Sequence, residues 1–161
     1  MTIESLAIFL CLFVVGHFTG AFLIFLNHRF VLHGSLGKTR LLKWARELHA
    51  QHHKYAYCDD HNDDAYANFF SSFSKTPWKV KFIVGSAIVL LTALVPGLGF
   101  GLGTSMLYYE FAHKKIHGSW RNSRIGRHHE MHHKFPHYNF SGTYPFIDSI
   151  FKTKKTAKSN R

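Results

Sequence analysis

The chain has 161 residues, a length expected to hold one domain, 1–161, with no fused reductase or haem module. Its two cysteines, Cys11 in an apolar run and Cys58 in an acidic loop, exclude a disulfide scaffold and a cysteine-based zinc site. Twenty Lys and Arg against nine Asp and Glu suggest an anionic partner, but 46% hydrophobic and 16% aromatic content argues against a nucleic-acid binder. The outlying feature is histidine, with 14 residues gathered in clusters.

In chain order, the first element is an apolar run. Between Glu4 and Arg29 lie 24 residues without an acidic residue, Lys or Arg, against about 20 needed to cross a bilayer. A transmembrane helix over about 5–27 is predicted. A cleaved secretory signal is the alternative, but Met1–Ser5 carries no basic residue and no small-residue cleavage site follows the run. From Phe82 to Tyr109 there are 28 more residues without these charges, interrupted by Pro96, Gly97, Gly99, Gly101 and Gly103. Counted from Trp78 to His117, with Lys79 and Lys81 reaching to the interface, this stretch predicts a helical hairpin. Its spans are 78–96 and 99–116, with the turn at Pro96–Gly103.

Charge distribution favours the hairpin. Nine Lys and Arg fall in Arg29–Lys81 and eleven in Lys114–Arg161, while Met1–Ser5 and the Pro96 region have none. Two crossings gather all twenty on one face, as the positive-inside rule favours, so the N-terminus is expected outside and the basic segments in the cytoplasm. The Lys152–Arg161 tail reads as a solvated end rather than a specific anionic-lipid site.

The histidines fall in four boxes on that face. His28 and His33 are five residues apart, off-register for one α-helical face, so the first helix should end or loosen between them. His49, His52 and His53 follow Leu41, Leu42, Trp44, Ala45 and Leu48 at amphipathic spacing, which predicts three imidazoles on one side of one helix. His113 and His117 form an i, i+4 pair at the end of the hairpin's second helix. His129, His132 and His133 repeat the second box. Neutral imidazole suits iron, copper and zinc. A single histidine is usually a packing residue, but ten at ligand spacing amount to about five for each of two metals.

The order HX4H, HX2HH, HX3H, HX2HH, closed by His132-His-Lys-Phe-Pro-His-Tyr-Asn-Phe-Ser-Gly and Tyr144-Pro-Phe-Ile-Asp148-Ser-Ile-Phe-Lys-Thr153, strongly resembles the fatty acid hydroxylase and sterol desaturase superfamily. The likeness runs from His28 to Thr153, with Asn139-Phe140-Ser141-Gly142 where the family usually reads Asn-Phe-Gly. It implies an all-α integral membrane enzyme whose cytoplasmic helices carry a histidine-rich dimetal site, taken to be di-iron, with zinc as a possible substitute in purified protein. By that resemblance the ligands are His28, His33, His49, His52, His53, His113, His117, His129, His132 and His133. The activity implied is O2-dependent hydroxylation of a membrane lipid, fatty-acyl, sterol or related. Carotenoid ring hydroxylation and lipid desaturation are alternatives within the same chemistry. The HX3H box and the Asn-Phe-Ser ending favour the lipid hydroxylase branch. Electrons are expected from a separate ferredoxin, cytochrome b5 or reductase, docked on the basic face.

Other residues complete the reading. Metal-bound imidazoles donate their second N–H to a carboxylate or carbonyl, and Glu110, three residues before His113, is placed for that role. Asn139 and Asp148 are candidates through the resemblance. His17, about 16 Å deeper than His28 along the helix, is read as an interhelical hydrogen bonder ahead of a substrate-cavity residue. His61, His128 and His137 are left outside the ligand set. The Asp59–Asp64 loop lacks the glycine and distant glutamate of a calcium loop and reads as solvated. A ferritin-like site fails because, beyond Glu110 and Glu130, only Glu4 and Glu47 remain. A non-catalytic membrane metal-binding protein is the rival of another class.

Overall fold

Thr2 starts the first helix by accepting the Ser5 N–H at 3.2 Å, and the uncharged run carries α1 over Ile3–Leu26. In the computed structural model, which describes residues 2–55 and 76–156, the chain is helical and no strand occurs among the described residues. Cys58, the Asp59–Asp64 stretch with His61, Lys75 and the tail beyond Thr156 lie outside them.

The loosening expected between His28 and His33 takes a definite form. Asn27–Leu32 is a π-helix, and the His33 N–H donates to the His28 carbonyl at 3.1 Å. A five-residue repeat returns both rings to one side, with centroids 5.1 Å apart. Ile3–Leu32 is, among the described residues, the one helix long and apolar enough to cross a membrane by length and composition.

Helix α2 spans Lys43–Tyr55, tied back to the first segment by Arg46 donating to the Gly34 carbonyl at 2.7 Å. Helix α3 (Trp78–Leu94) buries none of its residues, and Trp78, Phe82, Ile83, Val89, Leu90 and Leu94 are exposed. Helix α4 spans Pro96–His117, α5 Arg124–Lys134 and α6 Pro145–Ile150.

The break between α3 and α4 is at Val95 (φ −138°, ψ 80°), not across Pro96–Gly103. Proline takes the first turn of α4, where its missing N–H costs nothing. The glycines that suggest a turn are instead helical contact residues. Gly97, Gly99 and Gly101 are buried. A Cβ on Gly97 would lie 2.5 Å from the Phe9 carbonyl oxygen, and one on Gly101 would press on the Phe13 carbonyl. Further along both helices, Gly20 faces Ser105. The matched order, 9 with 97, 13 with 101 and 20 with 105, means that α1 and α4 run parallel. Their C-terminal ends, which carry the first and third histidine boxes, therefore emerge on the same side.

The segment after α5 folds back over α1. Phe140 and Ile147 join Ala21 and Phe25 in a buried cluster, flanked by Phe22, Leu26 and Tyr144. This contact places the 138–144 loop beside the end of α1.

Candidate metal centre

The four boxes converge as two groups. His28, His33, His49, His53 and His132 form the first, and His52, His117, His129 and His133 the second. Within each, the potential ligand atoms lie within 4.8 Å of one another. His113 sits against the second group, its Nε2 3.3 Å from that of His117 and its ring 4.9 Å from those of His52 and His129. The three imidazoles of each HX2HH box do not share one side. His49 and His53, four residues apart, enter the first group, whereas His52 enters the second; on α5, His129 and His133 enter the second and His132 the first. Adjacent helical residues point about 100° apart, so each triplet straddles both groups.

The spacing of the nitrogens is that of a ligand shell. His49 Nε2 lies 3.0, 2.8 and 3.0 Å from the Nε2 atoms of His28, His33 and His53, and His132 Nε2 lies 3.2 and 3.0 Å from those of His33 and His53. In the second group, His129 Nε2 is 3.0 Å from both His117 Nε2 and His133 Nε2. An imidazole nitrogen offers one in-plane lone pair or one N–H, so His49 cannot hydrogen-bond to three rings at once. Separations near 3 Å are what ligand nitrogens at right angles, each about 2.1 Å from a shared ion, would show. The donor set therefore fits a metal in each group.

The rings are held in the state that ligation needs. Burial lowers His33 to about 3, helped by repulsion from His53, His137 and Arg46, and burial alone lowers His53 to about 4. Burial followed by repulsion from His113, His53 and Arg121 takes His117 to about 2. His49, His52, His129 and His132 are held well below the ordinary imidazole range by burial first and by neighbouring histidines next. All are neutral at pH 7, so no proton need leave before a cation binds.

Two of the ligand-type rings are oriented by main-chain carbonyls. His28 Nδ1 donates to Phe140 O at 2.5 Å and His132 Nδ1 to Tyr138 O at 2.7 Å, which leaves each Nε2 lone pair facing the first group. Between these carbonyls sits Asn139, fully buried at φ 56°. Asp148, also fully buried, accepts the N–H groups of Phe140 and Ser141 at 2.8 Å, the Thr153 hydroxyl at 2.7 Å and His128 Nε2–H at 3.0 Å. Asn139 and Asp148 thus brace the loop rather than touching the rings. Glu110 lies half-buried beside Tyr109, whose ring stacks on His113 with centroids 5.5 Å apart. His137 is exposed.

Sequence reasoning missed three contributors. Tyr138 and Phe140 act through carbonyls, which no side-chain motif reveals. His128, outside the ligand set, is buried and gives its Nε2–H to Asp148. The available signal was its place one residue before His129 on a helix with an inward-facing ligand side.

His17 is an interhelical hydrogen bonder, as its position in the sequence suggests. Thr104 Oγ1 donates to Gly101 O at 2.8 Å, so His17 Nδ1–H donates to Thr104 Oγ1 at 3.3 Å and His17 Nε2 accepts the Tyr144 hydroxyl at 2.7 Å. The same residues, with Phe13, Val14, Phe18 and Tyr108, line an open, mostly apolar cavity of about 290 Å³.

Comparison with curated proteins and with solved structures returns no match. The family model for fatty acid hydroxylases matches residues 13–153, which takes in all four histidine boxes, Asn139 and Asp148. With paired histidine groups at the common end of two parallel helices, the chain belongs to the fatty acid hydroxylase family, within the fatty acid hydroxylase/sterol desaturase superfamily.

Proposed function

We propose that the protein is an O2-dependent hydroxylase of a membrane lipid, with two iron ions held by His28, His33, His49, His52, His53, His113, His117, His129, His132 and His133. The observation that carries this reading is the convergence of the boxes into two adjacent groups of neutral imidazoles. An unactivated C–H bond gives an acid or base no purchase, and a bound redox metal pair would supply the activation of O2 that such a bond requires.

The residues do the rest. The ten histidines bind and space the ions. Tyr138 and Phe140 fix the orientation of His132 and His28. Burial of His28, His52, His117, His129 and His132 limits the access of water to the rings. The chain is read as membrane-spanning over about 5–27, 78–96 and 99–116, with the N-terminus outside and the groups on the cytoplasmic face. The largely exposed apolar surface of α3, none of whose residues is buried, and the 24-residue α1 support this. A lipid would enter from the bilayer, its chain lying in the cavity between α1 and α4 that His17 and Tyr108 line. A separate electron donor, a ferredoxin, cytochrome b5 or reductase, would dock on the basic face.

The test is elemental analysis of untagged protein from iron-supplemented cells, followed by O2 consumption with lipid and reductant. Two irons per chain are expected. His52→Ala should lose metal and turnover, and His61→Ala, outside all four boxes, should keep both. Stoichiometric metal with no lipid-dependent O2 uptake would favour a non-catalytic metal-binding protein. Equal turnover in the two variants would remove His52 from the site.

A further inference from the structure

The two groups are built differently around their outer edges. In the first, His28 and His132 each give their Nδ1–H to a carbonyl, Phe140 O and Tyr138 O, at 2.5 and 2.7 Å. In the second, His129 Nδ1 is buried without a hydrogen-bond partner among the described residues. A carbonyl on the outer nitrogen fixes the tautomer, holds the ring plane and raises the basicity of the inner nitrogen, so it favours metal binding.

Those two carbonyls flank one residue that the chain's far end clamps. Asn139 holds φ 56°, a left-handed conformation that Asn tolerates better than most residues. Its N–H donates to Thr153 O at 2.9 Å, its Nδ2 to Lys155 O at 2.8 Å and His128 O at 3.0 Å, and its Oδ1 accepts the Lys155 N–H at 2.6 Å. Thr153 also donates its hydroxyl to Asp148 Oδ1, and Asp148 holds the N–H of Phe140. Residues 153–155 thus close over the loop like a buckle.

We propose that this buckle makes the metal groups unequal: the first fills before the second and more tightly, with Asn139 and Thr153 as positioning residues for His28 and His132. The inference rests on reading the groups as metal sites, and not on turnover. Its prediction is directional, because loosening the buckle should weaken one site and spare the other.

The experiment is titration of the apo full-length protein in detergent with cobaltous ion, followed by its visible absorption and by competition with a chelator. Two binding steps are expected, the tighter lost in His33→Ala and the weaker in His129→Ala. Asn139→Gly, which keeps the left-handed conformation accessible, and Thr153→Val should each weaken the tighter step by about 10–100-fold and leave the weaker one in place. Thr153→Ser, which retains the hydroxyl, should restore the wild-type tighter step. Should Asn139→Gly lose its helical circular dichroism, Thr153→Val against Thr153→Ser decides. Loss of the tighter step in His129→Ala, two steps of equal affinity, or equal weakening of both steps by Thr153→Val would overturn the inequality. Failure of the wild-type protein to bind cobalt stoichiometrically would overturn the metal-site reading beneath it.

Discussion

Asp148 concentrates several demands on one buried carboxylate. With no exposure, it is matched by two main-chain N–H groups, a hydroxyl and the His128 ring, so its removal leaves those donors buried without an acceptor. Asp148→Ala is expected to cost about 3 kcal/mol or more in chemical denaturation, at about 1–3 kcal/mol for each buried donor left without an acceptor. A loss under about 1 kcal/mol would mean that the loop stands without it. Residues of this kind mark where the sequence stops being informative. Ten histidines announce themselves by spacing, because ligation uses side chains. The acceptors at Tyr138 and Phe140 are carbonyls that every residue carries, so only folding distinguishes them. Asp148 and Asn139 were legible through family likeness alone, since a lone Asp and a lone Asn have no periodicity to read.

At the scale of elements, the π-helix at Asn27–Leu32 was foreseeable as a disturbance and the Val95 break was not. The HX4H spacing clashes with 3.6 residues per turn, and that clash is visible in sequence. Glycine is ambiguous: the same missing Cβ permits a turn or a close helix contact, and only the facing helix decides. Two glycines separate the cases. At Gly85, on α3, an added Cβ meets nothing within 4 Å, so Gly85→Ala should gain about 0.5–1 kcal/mol from helix propensity. At Gly101 the methyl would meet the Phe13 backbone, and Gly101→Ala should lose about 1–3 kcal/mol. Thermal melts of both variants in one detergent check the opposite signs; a gain at Gly101 would contradict the parallel packing of α1 on α4.

For the whole molecule, gathering so many imidazoles links stability to pH. Each histidine of the two groups has a folded pKa below the unfolded value near 6.5, so on acidification the unfolded chain takes up protons first. The apo protein should therefore be at full stability above pH 6.5 and lose it as pH falls toward about 4 and 3, where His53 and His33 titrate in the folded state. Melting midpoints of metal-free protein between pH 8 and pH 4 test this, and a midpoint that rises on acidification would contradict it. The all-helical character, the first helix and the histidine boxes were all readable from the chain, because each is a matter of local composition or spacing. The division of the boxes between two groups depends on how α2 and α5 meet, which is a property of the assembled helices.

That division has a mechanical result. His52 and His53 are neighbours in the chain yet serve different groups, and so are His132 and His133. Consecutive Cα atoms are about 3.8 Å apart and cannot drift. The separation of the two groups is therefore gauged twice by single peptide units rather than by side-chain packing. Loosening the surrounding helices would alter how the pocket opens, while the interval between its two halves stays fixed by covalent length.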